Sequence, residues 1–219
     1  MLKKLLLSPA EFFRNKIGRK VDLKLPAIII VLNSAIGAIS GFFLLSKVDV
    51  KLSNVADLSY NADTFLLVGF IFGAFLSIAL GIIIWLVQSF IFHIFASFQG
   101  GQGNYRKLVE LVGYSQLPLI FSSVVAIAVI AGFAPELSME TVQNKAILEQ
   151  TLLSIPAFKA SRVFGRLMLF WSLYLSVIAV REVHGISTKK AAASVPVLIL
   201  AVMLAALFFG VMLAIAVDV

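Results

Sequence analysis

Residues 64–98 read TFLLVGFIFGAFLSIALGIIIWLVQSFIFHIFASF, a run with no Asp, Glu, Lys or Arg whose only ionisable side chain is His93. Wound as an α-helix at 1.5 Å per residue, such a run is about 52 Å long, against a bilayer hydrocarbon core of about 30 Å. The stretch therefore predicts a membrane-spanning helix whose C-terminal turns emerge into the cytoplasm.

Four more apolar runs flank it. One covers 25–46, opened by Pro26 and holding Asn33, Ser34, Gly37 and Gly41; the others cover 104–133, 160–183 and 188–217. The expected fold is all-α, a polytopic bundle of five transmembrane helices occupying 25–219 behind a basic amphipathic segment, 1–24. Composition agrees: 61% of residues are apolar, 13% are charged and the mean hydropathy is +1.04, whereas soluble domains carry about 25% charge. A water-soluble fold is excluded. The chain has no cysteine, which removes disulfides, thiolate metal sites and thiol nucleophiles.

Between the runs lie turn and cap signals. Ser8-Pro9-Ala10-Glu11 has the capping-box pattern, with Leu7 and Phe12 at hydrophobic-staple positions. A helix is expected from Pro9 to about Ile17. Phe12, Phe13 and Ile17 share one side of it among Arg14, Lys16, Arg19 and Lys20, a composition suited to the headgroup plane. Gly100-Gly101-Gln102-Gly103-Asn104 breaks the second span, and Asn104 is placed to cap the third. In the polar stretch 134–160, Val142, Ile147, Leu148, Leu152 and Leu153 recur at helical spacing after a cap at Ser138, which predicts a short extracytoplasmic surface helix. Gly185-Ile186-Ser187 reads as a tight turn whose serine caps the fifth helix.

The net charge of +7 comes from Lys and Arg in short segments between apolar runs, where they fit anionic headgroups and topology control rather than nucleic acid. Twelve basic residues fall on the N-terminal side of the membrane and six on the other. The excess predicts a cytoplasmic N-terminus and an extracytoplasmic C-terminus.

Phe92-His93-Ile94, Gly100-Gly101-Gln102-Gly103-Asn104-Tyr105 and Leu111-Val112-Gly113-Tyr114-Ser115-Gln116-Leu117-Pro118 follow one another in an order that resembles the Yip domain, the core of the Ypt-interacting protein family. Leu7-Ser8-Pro9 with Phe12-Phe13, and Trp171 through Val183-His184-Gly185-Ile186-Ser187 to Lys190-Ala191, agree with that resemblance. It implies a five-span domain with the N-terminus inside. Eukaryotic members of the family act in vesicle traffic between endoplasmic reticulum and Golgi, bind Rab-type GTPases and carry a long cytoplasmic N-terminal region. Read without that region, the chain is similar to the short bacterial and archaeal members, a resemblance that implies the plasma membrane of a prokaryote.

Few residues could carry chemistry. His93 and His184, the only histidines, each precede a glycine turn at the cytoplasmic end of an even-numbered helix, so they can meet. As metal ligands they would need completion from Gln88, Glu110 or Glu182, and the pair is a weak metal candidate. The glycine loop, followed by Arg106 and Lys107 at a helix start, offers a lipid-phosphate contact, as do Arg162 and Arg166, four residues apart and able to reach Glu136, Glu140 or Glu149. Pro118 and Pro196 predict breaks in the third and fifth helices, the first beside Ser115 and Gln116. Gly37 with Gly41, and Gly69 with Gly73, allow close helix packing.

The expected ligand or partner site is His93, Gly100, Gly101, Gly103, Tyr105, Tyr114, Gln116, Pro118, Glu182 and His184. No acidic residue lies mid-span, against a secondary active transporter, and no catalytic constellation or cofactor motif is visible. The expected function is non-enzymatic: a membrane-organising or adaptor protein contacting lipids or a protein partner from the cytoplasmic side, compatible with a homo-oligomer. A small-solute or ion channel or carrier, or a lipid-handling protein, is the alternative.

Overall fold

The computed structural model describes residues 2–49 and 62–195. They are mostly helical: α1 (Leu2–Leu7), α2 (Pro9–Ile17), α3 (Lys24–Leu45), α4 (Ala62–Phe98), α5 (Tyr105–Ser115), α6 (Leu117–Phe133), α7 (Met139–Gln143), α8 (Lys145–Ser154), α9 (Pro156–His184) and α10 (Thr188–Ser194). The two-residue strands β1 (Val48–Asp49) and β2 (Leu137–Ser138) pair in parallel, Val48 opposite Leu137.

Among the described residues four helical stretches are long and apolar enough to cross a membrane: Lys24–Leu45, Leu67–Phe98, Tyr105–Phe133 and Pro156–His184. They correspond to the first four expected spans. Of the fifth, only the opening turns, α10, are described; the rest, with Pro196, lies outside the described residues, as does most of the loop that follows the first span. The fourth helix starts earlier than expected, on Pro156, whose fixed φ suits a first helical position. Pro118 interrupts the third as expected. It has no N–H to donate, and the chain tightens into a turn in which Leu119 N–H bonds Gln116 O at 3.0 Å before α6 continues.

The single surface helix expected within 134–160 is two. Ser138 caps α7, its Oγ accepting from Thr141 N–H at 3.2 Å. Asn144 then ends α7 and caps α8, accepting from the N–H groups of Ala146 and Ile147.

Two compact units divide the described residues: the first comprises 2–26, 84–115 and 173–195, the second 27–49, 62–83 and 116–172. The first has a closed core. Leu5, Phe13, Phe92, Leu108, Leu111, Val112, Leu175 and Val180 are fully buried there. The second unit instead exposes Ile71, Phe72, Phe75, Phe121, Phe133 and Phe170, apolar surface that suits lipid and not water.

Within the second unit the helices approach at an unexpected glycine. A Cβ on Gly81 would lie 2.1 Å from Ser34 Oγ, whereas one on Gly37, Gly41, Gly69 or Gly73 would meet nothing within 4 Å. The expected close packing at those four is therefore not made; Gly41, Gly69 and Gly73 border an apolar groove of about 370 Å³ with Phe42 and Phe70. Polar bonds join the helices nearby: Ser77 Oγ donates to Ser34 O at 3.1 Å, and Ser123 Oγ to Asn33 Oδ1 at 2.7 Å.

The N-terminal segment also departs from expectation. The helix from Pro9 to Ile17 is present, but α1 precedes it, and Ser8 makes no side-chain cap bond. Glu11 accepts from Lys4 Nζ at 3.0 Å instead of closing a capping box. Leu7 is 70% exposed while Phe12 is buried, so no staple forms. Phe12 and Phe13 pack inside the first unit, Phe12 edge-on to Tyr114 with ring centroids 5.3 Å apart. The apolar face assigned to the headgroup plane is used internally, because Tyr114 offers it a larger dry contact.

Candidate functional site

The first unit contains the two histidines and the glycine loop. Helix α4 ends at Phe98 with Gly100 at φ +87°, a left-handed turn that sends Gly101 N–H back to Ala96 O at 2.9 Å. Helix α9 ends at His184, followed by Gly185 at φ +65°. His184 Nε2 lies 3.3 Å from His93 Nδ1, so the histidines do meet.

Hydrogen-bond polarity fixes their state. The Gly103 N–H can only donate, and it donates to His184 Nδ1 at 3.2 Å. His184 is then neutral with its proton on Nε2, which donates to His93 Nδ1. Gln102 N–H bonds the His184 carbonyl at 3.3 Å. The imidazole of His184 and its backbone thus clasp the loop, and the loop glycines make room for it: a Cβ on Gly101 would stand 2.7 Å from His184 Cβ, and one on Gly103 2.7 Å from Val183 Cγ1. The ring of Tyr105 lies beside His93, centroids 5.6 Å apart, and its hydroxyl donates to Leu86 O at 3.3 Å.

The N–H groups of Gly100, Gly101, Gln102 and Gly103 are all bonded within the protein. No group of three metal-ligating His, Asp or Glu residues occurs among the described residues. Glu110 and Glu182, expected to complete a site with the histidines, are engaged elsewhere.

Glu110 is fully buried between two lysines: Lys107 Nζ at 2.6 Å and Lys16 Nζ at 3.3 Å. Lys16 Nζ also donates to Tyr114 Oη at 2.9 Å, while Lys107 Nζ donates to the carbonyls of Lys16, at the end of α2, and Lys20. Burial works to lower the Lys16 pKa, but the Tyr114 hydrogen bond and the charges of Tyr114 and Glu110 outweigh it, and the value is raised. Lys107, expected at a lipid phosphate, is instead the cap that fixes the N-terminal segment. The sequence hinted at this knot through Lys107 and Glu110, three apart on one helix face; Lys16, 94 residues away from Glu110, carried no such signal.

The remaining candidates separate. Glu182 faces Arg14 Nε at 3.5 Å and pairs with Arg181. Ser115 Oγ meets Ser176 Oγ at 2.8 Å within the first unit. In the second unit Gln116 Oε1 accepts from Ser172 Oγ at 3.5 Å beside buried Pro118, and Arg162 reaches Glu149, one of its three expected partners, at 2.5 Å. Arg166 is exposed.

Charge is divided unequally. Among the described residues the first unit holds 12 Lys and Arg against 4 Asp and Glu, the second 5 against 5. In the first unit Arg19, Lys20, Lys24, Arg106 and Lys189 are exposed, and no side-chain bond or ion pair engages them.

The sequence pattern of the Yip1 domain matches residues 3–210. The chain is also 26% identical over 135 residues to an uncharacterized protein of Methanocaldococcus jannaschii, an alignment that covers 62% of this chain and 91% of the archaeal one. No solved structure gives a significant match. Family and apolar helices together make this an integral, multi-pass membrane protein, and the chain belongs to the Yip1-domain family.

Proposed function

We propose that the protein is a non-enzymatic membrane-organising or adaptor protein of five spans, with its N-terminus in the cytoplasm and its C-terminus outside. It presents the basic surface of its first unit to anionic headgroups, or to an acidic protein partner at the membrane surface. The observation that carries this reading is the charge division: among the described residues the first unit has an excess of eight basic residues, the second none. Basic residues near span ends favour the cytoplasmic side, and each cation close to an anionic membrane surface contributes about 1 kcal/mol of attraction.

A channel or carrier along the histidines has less support, since both nitrogens of His184 are engaged in holding the loop. The test is the lipid shell of the protein reconstituted in mixed vesicles, read by spin-labelled lipids. Motionally restricted phosphatidylglycerol should exceed phosphatidylcholine, and the excess should fall with salt and in a variant carrying Arg19→Gln, Lys20→Gln, Lys24→Gln, Arg106→Gln and Lys189→Gln. An equal shell of both lipids would refute the reading.

A further inference from the structure

In the second unit, α8 and the first turns of α9 enclose an open groove of about 400 Å³, within the size range of about 300–1,000 Å³ that holds small ligands. Its floor is apolar, made of Leu148, Leu152 and Leu153 from α8 and Phe158 from α9. Its rim is ionic, made of Lys145, Glu149 and Arg162. Glu149 occupies one amino group of Arg162 at 2.5 Å, and Lys145 has no ionic partner among the described residues. The rim therefore carries one positive charge in excess.

The position along α9 matters as well. The helix is basic over its first turns, with Lys159, Arg162 and Arg166, and mostly apolar from Leu167 to Val180. Arginines at the end of a spanning helix sit at headgroup depth, with apolar residues on the acyl side. An apolar floor with a cationic rim at that depth matches an amphiphile with an anionic head.

We propose that this groove holds one anionic membrane phospholipid, its acyl chain along the leucines and Phe158 and its phosphate against Lys145 and the free donors of Arg162. A free phosphate would leave the apolar floor without a role. A zwitterionic lipid would leave the rim charge uncompensated. A second copy docking through the same patch would oppose two like-charged rims, which is unfavourable in an isologous contact.

The full chain, purified in a neutral detergent, is tested by native mass spectrometry against phosphatidylglycerol and phosphatidylcholine of identical chains, with inorganic phosphate as competitor. One phosphatidylglycerol should be retained per chain, about tenfold more tightly than phosphatidylcholine. Lys145→Ala with Arg162→Ala should abolish that preference, while the charge-retaining pair Lys145→Arg with Arg162→Lys should keep it. Leu152→Trp, which fills the floor, should weaken both lipids at unchanged thermal stability.

Any of these results would overturn the site: equal retention of the two lipids, an undiminished preference in the double alanine variant, displacement by phosphate as effective as by the lipid, or a change of oligomeric state in place of lipid loss on Leu152→Trp. The five-site glutamine variant of the first unit should retain the groove lipid, so failure here and failure of the function proposed above are separately visible. Loss of the groove lipid in that variant would place it elsewhere and overturn the site.

Discussion

His184 stands between two partners that require opposite things of it: Gly103 N–H demands an acceptor at Nδ1, and His93 Nδ1 takes the proton that Nε2 carries. Only a neutral imidazole meets both demands. The α4–α5 loop is thus fastened to the end of α9 by one residue, through its ring and its carbonyl.

His184→Ala should therefore lower stability more than His93→Ala. The first removes both the Gly103 bond and the bond to His93, each worth about 0.5–1.5 kcal/mol; the second leaves the Gly103 bond in place. Midpoints of thermal unfolding in detergent for the two variants give the order.

Alanine at Gly101, Gly103 or Gly113 should destabilise. The added Cβ would stand 2.6 Å from Pro26 Cβ in the last case and 2.7 Å from its nearest atom in the other two, and overpacking of that kind costs about 1–3 kcal/mol. Gly37→Ala, which meets nothing, should be neutral or gain up to about 1 kcal/mol of helix propensity. The same unfolding measurement ranks all four, and a loss at Gly37 equal to that at Gly113 would show that the packing described here is wrong.

Glu110→Gln should loosen the N-terminal segment, since it leaves Lys16 and Lys107 buried without their carboxylate. Breaking a buried ion pair costs roughly 3–5 kcal/mol. The effect should appear as faster proteolysis between α2 and α3, at residues 18–23. For Lys16 the pKa is higher folded than unfolded, so its contribution is complete below the ordinary lysine value of 10.5 and is lost as the pH rises beyond it.

Phe13→Ala should release the same segment by a different route. The ring is fully buried, and truncating a buried phenylalanine costs about 3–5 kcal/mol. Proteolysis at residues 18–23 should again increase. Leu7→Ala, at a side chain already 70% exposed, should leave the digestion pattern unchanged.

The four described spans were legible because an apolar run long enough to cross a bilayer is a one-dimensional signal. Three caps were legible for the same reason, since Ser138, Ser187 and Asn104 all accept the expected backbone N–H, whereas the Ser8 side chain makes no cap bond. What depended on packing was not. Gly37-x-x-x-Gly41 and Gly81 look alike in sequence, and only the path of α3 past α4 selects Gly81. Lys107 read as an exposed cation at a helix start, yet the return of the N-terminal segment buries it among carbonyls. The histidine pair was legible from position, but the use of His184 as a clasp on the Gly103 N–H required the loop geometry.

Which side of the membrane holds the basic residues decides whether the protein can organise headgroups from the cytoplasm. The chain has no cysteine, so a single introduced thiol reports alone. Gln102→Cys in the exposed glycine loop and Gln143→Cys at the end of α7 would each be treated with a membrane-impermeant maleimide in intact cells. The predicted result is labelling at 143 in intact cells and at 102 only after permeabilisation; labelling at 102 in intact cells would contradict the proposed orientation and the function built on it.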